Sequence, residues 1–201
     1  MSPLLFLWTR WRDLICWTIV ICVIAGLFGA LHNQVSYTVS ADYFHAFKFS
    51  QFQIPESFQN RWGAAWVGVM AAWWIGLIVG PSLVITSYRV SRQGAAASIM
   101  LSGILTTLLA TALFSLAGLV IASVWLTPAN LQDWWVPPVV QDRIAFLRAG
   151  AMHDASYLGG AIGTLLGCWR VAHATSHSPD QPQAVRVPAN ITLDRTQDAT
   201  P

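Results

Sequence analysis

The sequence predicts an all-α integral membrane protein, a four-helix bundle with amphipathic, aromatic-rich outer loops. Two observations predict it. Only 10% of the 201 residues are charged and 55% are hydrophobic, with a mean hydropathy of +0.51, whereas a soluble domain carries about 25% charged residues. Too little polar surface is left to cover a water-soluble globule, and the same figures exclude a disordered chain. In addition, four stretches supply the roughly 20 apolar residues that a helix needs to cross about 30 Å of hydrocarbon.

The first stretch, residues 14–31, holds no charged side chain. Basic Arg10 and Arg12 precede it, as in a signal peptide, but Phe28 stands where cleavage before Leu31 would need a small residue, so retention as a helix is expected. The second, 62–88, is also uncharged and contains Pro81, a potential kink. The third, 95–126, is long enough to tilt. Ser102, Thr106, Thr107, Thr111 and Ser115 along it can return their hydroxyls to the preceding turn. The fourth, 150–169, alone carries a charge, Asp154. One transmembrane domain, 1–172, is thus expected, followed by a disordered polar tail, 173–201, with Pro179, Pro182 and Pro188.

Lys and Arg set the orientation. Arg10, Arg12, Arg89, Arg92, Arg170, Arg186 and Arg195 flank one side, against Lys48, Arg61, Arg143 and Arg148 on the other. Both termini are therefore expected in the cytoplasm. In a cytoplasmic tail the acceptor-like Asn190-Ile191-Thr192 is fortuitous.

Both outer loops are aromatic. In the first, Tyr43, Phe44, Phe47, Phe49, Phe52 and Phe58 alternate with Asp42, His45 and Lys48, with Arg61 at its end, which suits a short amphipathic helix or re-entrant piece at the interface. The third loop has Trp134, Trp135, Pro137 and Pro138, then an amphipathic turn over 139–147. Cys16, Cys22 and Cys168 lie in apolar stretches without metal or redox spacing and read as buried thiols. A net charge of +2 without a dense basic run gives no footprint for nucleic acid.

Gly159, Gly163 and Gly167 recur every fourth residue, as do Gly76 and Gly80. Such smooth faces let helix backbones meet in lipid, where van der Waals contact drives association. They suit seams within one chain, or an interface with a second copy or another membrane protein.

Polar groups meet apolar helix at one end. The first span runs into His32-Asn33-Gln34 and Tyr37, and the fourth opens with His153, Asp154 and Tyr157. His153 and Tyr157 share a helix face; Asp154 is turned about 100° from them. Ionisable groups in a span are costly, which makes this cluster the candidate site. Three readings compete. His32 and His153 could ligate haem b or a transition metal. His32, His153 and Asp154 could relay protons or ions, although no charge lies at mid-membrane to continue the path. Or the cluster could be structural, clamping the first loop over the bundle, with Lys48 or Arg61 balancing Asp154. No phosphate loop, serine elbow or paired acids appear, and Glu56 is the sole Glu, so enzymatic evidence is thin.

His32-Asn33-Gln34, Ser36-Tyr37, Asp42-Tyr43-Phe44, Trp73-Trp74 with Gly76, and Met152-His153-Asp154 with Tyr157 to Gly160 resemble a group of bacterial multi-pass membrane proteins of unassigned activity. The resemblance covers residues 14–169. It implies placement in the bacterial inner membrane and carries no mechanism. The leading expectation is a small non-enzymatic membrane protein, of the kind that serves as an accessory subunit of a membrane complex, whose polar cluster fixes the cap or receives a partner.

Overall fold

A computed structural model describes residues 3–90, 96–131 and 134–176. The first four residues of the expected disordered tail, 173–176, continue the last helix; the rest of it, with Asn190, lies outside the described residues. Among the described residues every regular element is helical. Five long helices form the body: α1 (Pro3–Val39), α2 (Arg61–Ala72), α3 (Gly76–Val90), α4 (Ala97–Trp125) and α5 (Arg143–Ser176). Three stretches, Leu7–Val39, Arg61–Arg89 and Ala97–Trp125, are long and apolar enough to cross a membrane.

α1 and α5 outrun the expected spans where local chemistry allows. α1 continues through Val39, so His32, Asn33 and Tyr37 stand on regular helix. It stops where Ser40 adopts an extended backbone and accepts a hydrogen bond from the Tyr43 N–H at 3.2 Å. Asn60 caps α2, its side chain accepting from the Trp62 and Gly63 N–H groups at 2.8 and 3.2 Å. The Asp142 carboxylate accepts from the Ala145 N–H at 2.9 Å and starts α5 ahead of the expected span. A single 3-10 turn at Trp73–Ile75 separates α2 from α3, and Pro81 lies farther on, inside α3.

Large apolar side chains such as Leu31, Leu109, Leu113, Val124 and Leu165 are exposed on the outside of the bundle. Water would penalise that surface, and hydrocarbon does not. Inside, glycine sets the distances. A methyl group at Gly68 would overlap the Gly29 backbone carbonyl, which holds α1 against α2. Gly76 and Gly80 lie on the α1 backbone at Cys22 and Thr18. Along α5, Gly159, Gly163 and Gly167 meet α4 at Phe114, Thr107 and Gly103, and Gly118 of α4 returns the contact at Ala151. The bundle is thus two close pairs, α1 with the single stretch that α2 and α3 form through the Trp73–Ile75 turn, and α4 with α5.

Two apolar cores join the pairs. At one end Ile21, Leu83, Val84, Met100, Ile104 and Val171 pack together. At the other, Tyr43, Phe44, Phe49, Val67, Phe146 and Ala149 form the underside of a cap. The first loop builds that cap from short turns, Ala41–Tyr43, Phe44–Lys48, Phe49–Gln51 and Glu56–Phe58, of which Phe44–Lys48 is a π-turn. The third loop closes on it, the Gln141 N–H donating to Asp42 Oδ2 at 3.2 Å.

Candidate functional site

Asn33 is the centre of the cluster and is 3% exposed. Its Nδ2 donates to the Ala64 carbonyl on α2 at 2.9 Å. Its Oδ1 lies 3.2 Å from His153 Nε2 on α5 and 3.5 Å from His32 Nδ1 beside it on α1. His32 Nε2 is 2.9 Å from the Ser115 hydroxyl on α4. Four helices therefore meet through one amide and two imidazoles. The imidazole rings stand edge to face with centroids 4.7 Å apart.

The cap rests on the same imidazole. Tyr43 lies 4.9 Å from the His153 ring centre, and Phe44 6.4 Å. Burial raises the Tyr43 phenol above its ordinary range, with the Asp154 and Tyr157 charges adding to the effect. Lys48 bends over the Phe47 and Tyr43 rings at 4.7 and 5.6 Å and donates to Gln51 Oε1 at 3.1 Å. Burial lowers its ammonium pKa, against a smaller opposing pull from Asp154.

Not every residue of the expected cluster joins it. Asp154 is exposed and forms no hydrogen bond or ion pair among the described residues, since its helix position turns it away from Asn33. Tyr157 is half exposed and its hydroxyl makes no hydrogen bond among the described residues. Tyr37 pairs instead with His45 in the cap, its hydroxyl 3.1 Å from Nε2. Arg61 covers the Tyr37 ring at 5.2 Å and donates to Thr38 Oγ1 at 3.1 Å instead of pairing with Asp154. Three partners escaped sequence reasoning. Ser115 was legible as a polar group on an apolar helix; the Ala64 and Ala149 carbonyls carry no sequence signal.

A second polar group occupies the opposite end. The Tyr88 hydroxyl donates to Asp13 Oδ2 at 2.7 Å, Arg12 pairs with Asp13 at 3.0 Å, and Arg10 lies 4.8 Å over the Tyr88 ring. It ties the start of α1 to the end of α3.

Proton counting exposes a tension at His153. Its Nδ1 faces the Ala149 carbonyl at 2.8 Å and its Nε2 faces Asn33 Oδ1 at 3.2 Å, so both neighbours are acceptors. A neutral imidazole has one N–H. Turning the Asn33 amide over moves the mismatch to the Ala64 carbonyl without removing it. His32 has no such difficulty, because Nδ1–H can serve Asn33 while the Ser115 hydroxyl donates to Nε2. The neutral cluster is one donor short.

This arrangement does not fit a haem between His32 and His153. Rings in edge contact leave no gap for a porphyrin, and all four ring nitrogens already face other polar atoms. Among the described residues no three His, Cys, Asp or Glu side chains gather to hold a metal ion.

No protein-family model, curated protein or solved structure matches the chain.

Proposed function

We propose that the chain is a non-enzymatic protein of the bacterial inner membrane with four spans and cytoplasmic termini, in which the His32–Asn33–His153 cluster locks the aromatic cap onto the bundle. One observation carries the reading. Asn33 bonds α2 and faces α5 at the very imidazole on which Tyr43 and Phe44 rest. A helix packed against a spanning helix from Ala151 to Val171 supports the fourth span for α5, with Arg143 and Arg148 before that stretch and Arg170 at its end. The fixed cap, with Trp134 and Trp135 exposed at its rim, is then the surface offered to a partner subunit.

Limited proteolysis of the purified protein tests the lock. His153→Ala should expose the segment 40–60 to cleavage while α4 and α5 stay protected; unaltered protection of that segment would refute the reading. An absorption spectrum with metal analysis is the complementary measurement, because stoichiometric haem or metal lost in His153→Ala would overturn a purely structural cluster.

A further inference from the structure

Between the two helix pairs, and between the two apolar cores, lies a cavity of about 370 Å³. Small-molecule sites begin at about 300 Å³. Its floor is apolar, formed by Ile21, Val79 and Ile104, and its roof is the polar cluster, His32, Asn33 and His153. Among the described residues no Asp, Glu, Lys or Arg lines it. Trp74, Ile78, Tyr157 and Ala161 line the cavity and are also exposed on the side of the bundle, so its mouth opens laterally, toward the lipid. The 3-10 turn at Trp73–Ile75 places Trp74 at that mouth.

Helix contact does not require a small residue at every position lining the cavity. Of two adjacent glycines, Gly159 is pressed on α4, where an added methyl group would strike Phe114 and the Ala110 carbonyl. Gly160 lines the cavity, and a methyl group there would meet only Thr111 Oγ1, at 3.7 Å. A side chain could have filled this space and none does. Empty apolar volume forfeits dispersion contacts, so an occupant stabilises the bundle.

From this geometry we propose that the cavity is a binding site for a neutral lipid alcohol, a long apolar body entering from the bilayer with its hydroxyl under the roof. The charge-free lining disfavours a carboxylate or an ammonium head. The roof lacks one donor, and the residues that share the mismatch line the cavity: Asn33, His32 and His153 do, whereas Ala149, the partner of Nδ1, does not. A hydroxyl supplies that donor to His153 Nε2 and can accept from the Tyr157 hydroxyl, which has no hydrogen-bond partner among the described residues. A carbonyl head accepts only and leaves the tension in place. The site does not depend on the cap being locked, and the two are read by different measurements.

The test uses the full-length protein in phosphatidylcholine nanodiscs with a diazirine-bearing hexadecanol as the photolabel. Labelling should be saturable and fall on 21–33 and 157–164. Unlabelled hexadecanol should compete about tenfold better than hexadecane or hexadecanol methyl ether, the worth of one hydrogen bond at the head. Gly160→Leu should abolish labelling without altering protease protection of the cap; Ala25→Leu fills the same space from α1 and decides the matter if Gly160→Leu does not fold. Equal competition by hexadecane would mean an acyl-chain void without head recognition and would overturn the proposal. So would competition by palmitic acid matching the alcohol, or labelling that survives both filling variants.

Discussion

The lock should be measurable as a coupling between Asn33 and His153. Asn33→Leu keeps the branched outline of the side chain and removes its amide, which makes two interhelical polar contacts, 2.9 Å to the Ala64 carbonyl and 3.2 Å to His153. In membrane proteins such a contact contributes about 0.6 kcal/mol on average and about 1.7 at most, because the unfolded chain finds other partners in the bilayer. Two contacts therefore predict a loss of about 1–3 kcal/mol for Asn33→Leu. The pairwise term with His153 should be smaller, about 0.5–1.7 kcal/mol. A double-mutant cycle of Asn33→Leu, His153→Leu and the double variant, unfolded reversibly in mixed micelles, isolates it. The eleven Trp residues provide the fluorescence signal. Additive single effects would show that the 3.2 Å approach carries no energy and would remove Asn33 from the lock. A strongly negative coupling, the double variant being better than the sum, would show that the donor deficit at His153 outweighs the bond.

Asp154→Ala should leave the melting temperature in detergent unchanged, since the carboxylate is exposed and unbonded among the described residues; a clear loss would restore it to the cluster. Gly159→Ala should lower stability by about 1–3 kcal/mol through overpacking against α4, while Gly160→Ala is neutral, and reversed results in the same melting assay would refute the assignment of the two faces. Tyr43 supplies the pH dependence: burial raises its pKa in the folded protein, so above about pH 10 the unfolded chain releases a proton that the folded chain keeps. Stability should therefore fall as pH rises through that range, and Tyr43→Phe should flatten the slope of melting temperature between pH 9 and pH 11 (roughly the phenol's window). A slope indifferent to Tyr43→Phe would place the phenol in water. For the proposed orientation, a C-terminal fluorescent-protein fusion should glow in cells while a C-terminal alkaline-phosphatase fusion stays inactive; the opposite pattern would invert the topology.

The helical fold was legible because hydrocarbon removes most alternatives. An uncharged run as long as 95–126 has to satisfy its backbone internally, so Ala97–Trp125 follows almost directly from composition. Helix ends were harder. α1 runs on to Val39 because nothing before Ser40 interrupts it, and α5 starts early because Asp142 caps it, a detail that hydropathy does not register. In the candidate site His32, Asn33 and His153 could be picked out as polar groups at apolar helix ends. Their partners could not, because two of them are main-chain carbonyls and the choice of Asn33 over Asp154 depends on helix rotation. The pairing of Gly29 with Gly68 was hidden for a similar reason: neither has another glycine four residues away, and only the crossing of α1 with α2 brings them together.

The glycine contacts also explain why a cavity lies where it does. Close backbone approach is confined to the seams within each pair, at Gly29 with Gly68 and along Gly159, Gly163 and Gly167. Across the pairs, contact has to come from side chains. One end is filled by Leu83, Met100 and Val171, and the other by Phe44, Phe49 and Phe146 under the cap. In the middle the facing residues include Ala25, Ala71, Ala72, Gly160 and Ala161, which are too short to bridge the gap. Rigid seams prevent the pairs from collapsing onto one another there, since moving α5 inward would strip Gly163 from Thr107 and Gly167 from Gly103. The polar cluster then closes one end of the gap. A Leu at Asn33 would also close it, but would leave the Ala64 carbonyl and His32 Nδ1 without their partner, so the amide is there for the polar edge it presents to α2, to His32 and to the roof of the cavity.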